Sequence, residues 1–290
     1  MITLTKHHGL GNDFLVCDTA QMAADAPWAD LARQWCDRRR GIGADGLLLL
    51  TIVDDLELSM VLHNADGSRA EMSGNGIRCL AQAAFIAQQR TDAVTYSIHT
   101  DAGLRTVAVE PVDALTVQAS VDMGAVTDLD EPRGWAAVGA DPMRPVVHLS
   151  TGNPHTVVGV DDVRVVDLLT LGRQVPHINL EIIEPGPETS AITMRVHERG
   201  AGITEACGTG ACVSAWAAVH WGLAHPEDGE ILVHMDGGDA TVRLHQPEPG
   251  HVTLVGPAVL IARLHIPDTI ATSENTTAEN TTAEDKTEGS

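Results

Sequence analysis

The strongest constraint on the fold of this chain is an ungapped internal repeat. When the 290-residue sequence is shifted by 134 positions, two glycine-rich blocks coincide. The identical pairs are Met60/Met194, His63/His197, Glu71/Glu205, Gly74/Gly208, Gly76/Gly210, Ala81/Ala215, Ala83/Ala217 and Ala84/Ala218. A weaker match, at a slightly different offset, pairs Gly11-Asn12 with Gly152-Asn153. Chance among glycines and alanines is the alternative, but an ungapped block favours a duplicated unit.

The duplication predicts an α/β chain of two domains related by a pseudo-twofold axis. Apolar runs at 79–87 and 213–223 follow the two glycine blocks and read as helices, whereas short β-branched stretches around them read as strands. We place the N-terminal half at 1–118, joined by 258–268, and the C-terminal half at 119–257. A further helix is expected at 162–174 and a last strand at 259–266. The repetitive acidic tail, 269–290, is expected to be disordered.

The second glycine block places a thiol, Cys207, directly before a predicted helix. A helix N-terminus presents unpaired N–H groups and a positive dipole end, which lower the pKa of a thiol and can also hold a carboxylate. A buried structural cysteine is the alternative for one Cys-Gly pair considered alone. Two such helix heads facing one cleft would suit inversion at carbon, which needs a base on one face and an acid on the other.

Composition excludes several classes of function. The net charge of −22 argues against binding of nucleic acid through its phosphates. Five cysteines without a C-x-x-C or a zinc-type spacing favour a reducing cytoplasm and no metal site. The longest apolar run, 47–53, is too short to span a membrane. No cofactor motif is found, because the glycine loop 41–46 leads into a strand and not from a strand into a helix.

Seven motifs together resemble the diaminopimelate epimerase family, of the cofactor-independent amino-acid racemase superfamily. They are 8–14 (HGLGNDF), 41–45 (GIGAD), 64–68 (NADGS), 70–76 (AEMSGNG), 152–155 (GNPH), 198–202 (ERGAG) and 206–210 (ACGTG). The resemblance implies two similar α/β (α+β) domains, each a mostly antiparallel mixed sheet curled around a central helix, with the active site between them. It also implies a homodimer, no cofactor, and conversion of LL- to meso-2,6-diaminopimelate in lysine and cell-wall synthesis.

The resemblance also assigns roles to residues of this chain. Cys207 and Ser73 occupy the two catalytic positions, and His155 and Glu198 would orient and activate the acid/base groups. The reacting carboxylate would bind the backbone N–H groups of Gly74, Asn75, Gly208 and Thr209. The distal end of the substrate would be bound, or the site lined, by Asn12, Asn64, Asn153, Asn179, Glu198 and Arg199.

Two positions depart from the family pattern. Gly46 stands where many members have Gln, and Ser73 stands where the family carries its other catalytic cysteine. A serine hydroxyl is a far weaker acid than a thiol and a poor base unless it is activated. Three interpretations stay open: an epimerase in which Ser73 or a water relays the proton, an impaired form that keeps the ligand site, or a one-base dehydratase acting on a hydroxylated imino acid.

Overall fold

The computed structural model describes residues 1–267. The predicted disordered tail, 269–290, lies outside the described residues. Within the described part of the chain, no helix is both long and apolar enough to cross a membrane.

The first half of the chain forms strands around one long helix. Its strands are β1 (Ile2–Gly9), β2 (Asn12–Asp18), β3 (Gly46–Ile52), β4 (Glu57–Asn64), β5 (Arg69–Ala70), β6 (Val94–Thr100), β7 (Gly103–Pro111) and β8 (Thr116–Ala125). Its helices are α1 (Trp28–Cys36) and α2 (Gly74–Ala87). A 3₁₀ turn, Thr19–Gln21, follows β2.

The second half repeats this order with small additions. Its strands are β9 (Thr127–Asp128), β10 (Val146–Ser150), β11 (Pro154–Gly159), β12 (Asn179–Pro185), β13 (Ala191–Glu198), β14 (Gly202–Thr204), β15 (Glu230–Met235), β16 (Gly238–Leu244) and β17 (His251–Ile266). Its helices are α3 (Trp135–Val138), α4 (Leu168–Gln174) and α5 (Gly208–His220).

Strand pairing closes each half into a ring. In the first ring β1 pairs with β2, β2 with β3, β3 with β4, β4 with β6, β6 with β7, β7 with β8, β8 with β17 and β17 with β1. In the second ring β10 pairs with β11, β11 with β12, β12 with β13, β13 with β15, β15 with β16, β16 with β17 and β17 with β8. The ring closes through β9, which follows β8 in the chain and pairs with β10. Two pairs in each ring are parallel and the others are antiparallel. The predicted pseudo-symmetric, mostly antiparallel fold is therefore confirmed.

Two long strands belong to both rings. The first part of β17 pairs with β8 and its last part pairs with β1. The strand expected at 259–266 is present, but its predicted start is wrong, because it is the last part of β17, which runs from His251 across both rings. The helix expected at 162–174 is also shorter, since regular structure begins only at Leu168, after the Asp167 cap. The domain bounds 1–118 and 119–257 stay a prediction, because β8 and β17 join the halves.

The two central helices fill the rings and are buried almost all round. Residues 74–85 of α2 are all buried, as are ten of the thirteen residues of α5. Such helices have almost no solvent-facing side, which is the pattern of a helix enclosed by other elements. About half of their residues are alanine, glycine or cysteine, so the sheets can curl closely around them.

The heads of the two central helices meet at a pair of glycines. A Cβ atom added to Gly208 would lie 3.2 Å from Gly74 Cα and 2.7 Å from Leu254 Cδ2 of β17. A Cβ atom on Gly74 would lie 3.3 Å from Gly208 Cα. A side chain between the heads would be overpacked, so glycine at both positions suits the close approach of the two backbones.

We expect Gly208→Ala to lower the free energy of unfolding by about 1–3 kcal/mol, because the added methyl group overlaps Leu254. Urea unfolding followed by circular dichroism measures the change. Leu254→Ala alone should also destabilise the protein, by about 2–5 kcal/mol, but the double variant should lose less than the sum because the space is shared. Strict additivity would show that the two positions are not in contact.

Candidate active site

The two repeat-related residues Ser73 and Cys207 cap the two central helices in the same way. Ser73 Oγ accepts a hydrogen bond from the Gly76 N–H at 3.0 Å. Cys207 Sγ accepts one from the Gly210 N–H at 3.4 Å. Each side chain therefore stands at a helix N-terminus beside the glycine contact. The N–H groups of the first turn, which have no acceptor within their own helix, surround both.

Cys207 does not have the lowered pKa that its helix position predicts. The thiol is only 4% exposed, and burial is the largest cause that raises its pKa well above the ordinary value. The negative charges of Glu198 and Glu181 raise this pKa further. The Thr209 hydroxyl and the Gly210 N–H lower it, but they do not outweigh burial and two carboxylates. The prediction of a ready thiolate is wrong, and Cys207 is a protonated thiol near neutral pH.

Glu198 provides a group that can exchange a proton with this thiol. Burial, opposed by a hydrogen bond from the Thr204 hydroxyl at 2.5 Å, raises the pKa of Glu198. Glu198 also lies close enough to Cys207 for each group to affect the pKa of the other. A carboxyl group with a raised pKa beside a thiol is suited to general acid–base work.

His155 lies behind Cys207 in a buried hydrogen-bonded chain. Its Nδ1 is 2.6 Å from Glu181 Oε1, and both side chains are fully buried. Its Nε2 is 3.0 Å from Asn153 Oδ1, and Asn153 Nδ2 donates to Thr209 Oγ1 at 3.3 Å. Thr209 Oγ1 in turn lies 3.4 Å from Cys207 Sγ. The structure brings four residues expected from the sequence into one line and adds Glu181 at its end.

Asn12 is held by an ionic network that connects two of the seven sequence motifs. Its Nδ2 donates to Asp45 Oδ2 at 2.7 Å, and the same oxygen accepts the Asp13 N–H at 3.1 Å. Buried Asp13 pairs with Lys6 at 2.8 Å and with Arg38 at 2.6 Å. The loops 8–14 and 41–45 are thus tied together, and Asn12 is placed at the mouth of the site.

The remaining expected ligands lie on the rim or bridge the two halves. Asn75 is buried and donates to Asn12 Oδ1 and to the carbonyl of Ala206, next to Cys207. Asn179 accepts the N–H of Arg199 at 2.8 Å and donates to the Pro154 carbonyl. Asn64 is exposed and donates to Ser68, and Arg199 is also exposed.

Arg78 is a functional candidate that sequence reasoning missed. Its side chain is fully buried and, among residues 1–267, donates only to neutral acceptors: the Gly74 carbonyl, the Pro257 carbonyl and Asn75 Oδ1. Burial lowers its pKa to about 10, so it remains a cation at neutral pH. A charge without a buried counter-ion, one turn behind the paired helix heads, favours an anion there. Its place after the first glycine block was the only signal.

Comparison with known proteins agrees with this geometry. The family model described as diaminopimelate epimerase matches residues 4–129 and 147–261. The chain belongs to the diaminopimelate epimerase family. It is 37% identical to the diaminopimelate epimerase of Thermosynechococcus vestitus over 90% of this chain and 97% of that protein. It is 35% identical to that of Phocaeicola vulgatus, over 89% and 95%.

Solved structures of lower identity share the fold. A hydroxyproline epimerase from Agrobacterium vitis, with bound trans-4-hydroxy-L-proline, superposes with a TM-score of 0.66 at 15% identity, covering 91% of this chain and 90% of that chain. A phenazine biosynthesis protein from Bacillus anthracis gives 0.69 at 15% identity, covering 92% and 99%. The two-ring architecture of this epimerase-family chain is thus common to proteins of different function.

We expect Cys207 of the free protein to react slowly with iodoacetamide at pH 7, because alkylation requires the thiolate. The rate should rise steadily up to pH 9, and Glu198→Gln should accelerate the reaction at pH 7 by removing one repelling charge. Mass spectrometry of the Cys207 peptide measures the rate, with the buried Cys79 peptide as an internal control. A plateau below pH 7 would contradict the raised pKa.

The Asp13 network predicts a pH-dependent stability. Burial alone would raise the pKa of Asp13, but hydrogen bonds from Arg38 and Lys6 lower it below its ordinary value of 3.8. Its stabilisation is therefore complete above pH 3.8 and is lost as the pH falls through the lower, folded-state value. Asp13→Asn should cost about 2 kcal/mol at pH 7, and the difference from the parent should shrink below pH 3.8. An equal difference at pH 7 and pH 2.5, by urea unfolding, would refute this account.

Proposed function

We propose that this chain is a diaminopimelate epimerase, an isomerase that interconverts LL- and meso-2,6-diaminopimelate in lysine and peptidoglycan biosynthesis. Membership of the family supports the substrate. The observation that carries the reaction is the meeting of two helix heads at Gly74 and Gly208, with Ser73 and Cys207 as their caps. This arrangement gives one anion site and a proton-transfer position on each side of it.

The reacting amino acid is held by its carboxylate. The N–H groups of Gly74, Asn75, Gly208 and Thr209 lie in the first turns of α2 and α5, where an anion is favoured. The positive charge of Arg78 behind them stabilises the extra negative charge that develops when the α-proton leaves. The proposed reaction is cofactor-free, so this fixed charge and the helix heads take the place of an electron sink.

The rest of the substrate extends toward the rim. Its distal amino and carboxylate groups are expected to contact Asn12, Asn64, Asn179 and Arg199, with Asn153 lining the site. The exposed guanidinium of Arg199 suits the distal carboxylate, because Arg can bind a carboxylate with two parallel hydrogen bonds. Asn12, fixed by Asp45, offers an oriented amide to the same end of the ligand.

Proton transfer on the Cys207 side uses a thiol and a carboxyl group. As the protonated thiol, Cys207 delivers a proton to the α-carbon. In the reverse direction Glu198 takes the thiol proton, which leaves the thiolate to remove the α-proton. His155 supports this pair from behind. Each step moves one proton between the substrate and the Cys207–Glu198 pair and forms no covalent adduct.

Ser73 is expected to make proton transfer slow on the face of the substrate opposite Cys207. A serine hydroxyl at a helix head has no neighbouring base in its cap contact, where it only accepts the Gly76 N–H. Inversion needs a proton acceptor on this face, so it is slower than proton exchange on the Cys207 face. We therefore propose an impaired, essentially single-thiol epimerase.

The same proposal includes the compartment, the oligomeric state and the partners of the protein. We propose a cytoplasmic homodimer that acts on a small amino acid and binds neither nucleic acid nor membrane. The net charge of −22 is unfavourable for contact with phosphate backbones. All five cysteines are unpaired, in keeping with a reducing compartment.

The deciding experiment follows the α-protons of LL- and meso-diaminopimelate by NMR in D₂O. We expect slow deuterium incorporation with retention of configuration, at the centre whose α-hydrogen faces Cys207, to exceed inversion in the parent protein. Ser73→Cys restores a second thiol and should raise the rate of inversion by about 100-fold or more, which is the scale of general acid–base catalysis.

Control variants separate the alternatives. Cys207→Ala should abolish exchange, whereas Ser73→Ala should retain the exchange and lose the residual inversion. No exchange in either the parent or Ser73→Cys would mean a binding protein. Release of water from a hydroxylated imino acid would mean a dehydratase. Equal inversion by parent and Ser73→Cys would show that Ser73 is fully competent.

A further inference from the structure

Buried Glu181 lies on β12 behind the Cys207 helix head, and none of the roles assigned above includes it. A Cβ atom added to Gly210 of α5 would lie 2.7 Å from Glu181 Oε1 and 3.2 Å from Cys207 Sγ. Glu181 is 0% exposed and its Oε2 has no hydrogen-bond partner in the described structure. A carboxylate is costly to bury, so one placed behind the reacting thiol calls for an explanation.

The repeat supplies a comparison within the same molecule. The parallel pairs β2–β3 and β11–β12 place Phe14 opposite Gly46 and His155 opposite Asn179. Two residues further along, Leu48 corresponds to Glu181. A Cβ atom on Gly76 would lie 3.4 Å from Leu48 Cδ2, at the place where Gly210 meets Glu181. The fold is therefore satisfied by an apolar pair on the Ser73 side, and the Glu–His pair is not required by the architecture.

The hydrogen bonds from Glu181 to Cys207 have a direction. Both ring nitrogens of His155 face acceptors, Glu181 Oε1 and Asn153 Oδ1. A ring that donates from both nitrogens carries two protons and is a cation. The Asn153 oxygen accepts from this ring, so its Nδ2 faces Thr209 and donates to Thr209 Oγ1. The Thr209 hydroxyl hydrogen can then be donated to Cys207 Sγ.

We propose that Glu181 is a positioning residue for Cys207, which holds His155 as a cation and so points the Thr209 hydroxyl hydrogen at the sulfur through Asn153. The proposal rests on the proposed function only for its use in catalysis. The effect on the thiol exists in the free protein, where the chain of hydrogen bonds is already formed.

Neutralising Glu181 should reverse the chain. In Glu181→Gln the amide oxygen still accepts from His155 Nδ1, but no carboxylate remains to hold the second ring proton. The neutral Nε2 then needs a donor, so Asn153 turns its NH₂ group toward the ring and its oxygen toward Thr209. The Thr209 hydroxyl donates to that oxygen and no longer to Cys207. The thiolate loses one of its two donors and becomes harder to form.

The charges around Cys207 make it informative whether Glu181→Gln favours or disfavours the thiolate. Glu198 faces Cys207 from β13, Glu181 from β12 and the His155 cation from β11, while Arg78 is the buried cation of α2. If Glu181 acted only by its own negative charge, its removal would make the thiolate easier to form. The relay predicts the opposite sign.

Two measurements on the full-length protein test the proposal without substrate. In ¹⁵N-histidine spectra at pH 7, the His155 ring, assigned with His155→Asn, should show two protonated nitrogens in the parent and one in Glu181→Gln. Alkylation of Cys207 by iodoacetamide at pH 9, followed by mass spectrometry, should slow by about tenfold in Glu181→Gln, which is the scale of one hydrogen bond to a charged group. A faster reaction or an unchanged ring would overturn the proposal.

Matched variants separate the relay from general damage. Thr209→Val should slow alkylation as Glu181→Gln does, Thr209→Ser should not, and the double variant Glu181→Gln/Thr209→Val should be no slower than either single change. Leu48→Met, at the corresponding position on the Ser73 side, should leave both readouts unchanged. Should Glu181→Gln fail to fold, the variants Thr209→Val and Thr209→Ser still test the proposal. Equal rates of Cys207 alkylation in these two variants would refute the relay. Failure of the deuterium-exchange assay would refute the function and leave these readouts intact.

Discussion

The contact between Gly74 and Gly208 is the constraint on which the rest of the molecule depends. It brings two helix N-termini together, and each carries about half a positive charge. Arg78 adds a full buried charge beneath them, and no carboxylate in the described part of the chain pairs with it. The centre of the protein is therefore poised for an anion. The surrounding rings, joined by β8 and β17, hold the two heads in this unfavourable proximity.

The two halves share one fold because of the duplication, and they differ in the side chains at corresponding positions near the two helix heads. Both halves keep the same strand order, the same buried helix and the same capping geometry. They differ behind the helix heads, where Phe14 and Leu48 of one half correspond to His155 and Glu181 of the other. They also differ at the caps themselves, Ser73 and Cys207. The fold tolerates either apolar or ionisable residues there, so those positions were free to specialise.

The sequence made the frame predictable because duplication repeats glycines that sterics require. A side chain at Gly74 or Gly208 would crowd Leu254 and the facing backbone, and this preference for glycine is visible in the sequence as an ungapped match. Other features have no such local signature. The continuity of β17 depends on two rings sharing one strand, and the late start of α4 depends on the cap at Asp167, neither of which hydrophobic spacing reveals.

The electrostatics of the site were the least predictable part. Position at a helix head favours a thiolate, and this local effect is real for Cys207. It is outweighed by burial and by carboxylates from β12 and β13, which are distant in sequence. In the sequence Glu181 is one of three polar residues of β12, and only the Gly210 contact places it behind the sulfur. Proximity across strands, and not sequence spacing, decides the protonation state.

The two faces of the site therefore differ in kind. Behind Cys207 lie charges that disfavour the thiolate, together with a hydrogen-bond chain that moderates this penalty, so the resting group is an acid. On the Ser73 side, Leu48 stands where Glu181 stands on the Cys207 side, and Phe14 takes the strand position that corresponds to His155. Neither residue brings a negative charge. A thiol on this face would lie at a helix N-terminus without a counterpart of Glu181 behind it, which favours its ionisation relative to Cys207. Under the proposed function, this asymmetry favours a base at position 73 and an acid at 207, so a serine at 73 would keep the group that delivers a proton and lack the thiol that removes one from the opposite face.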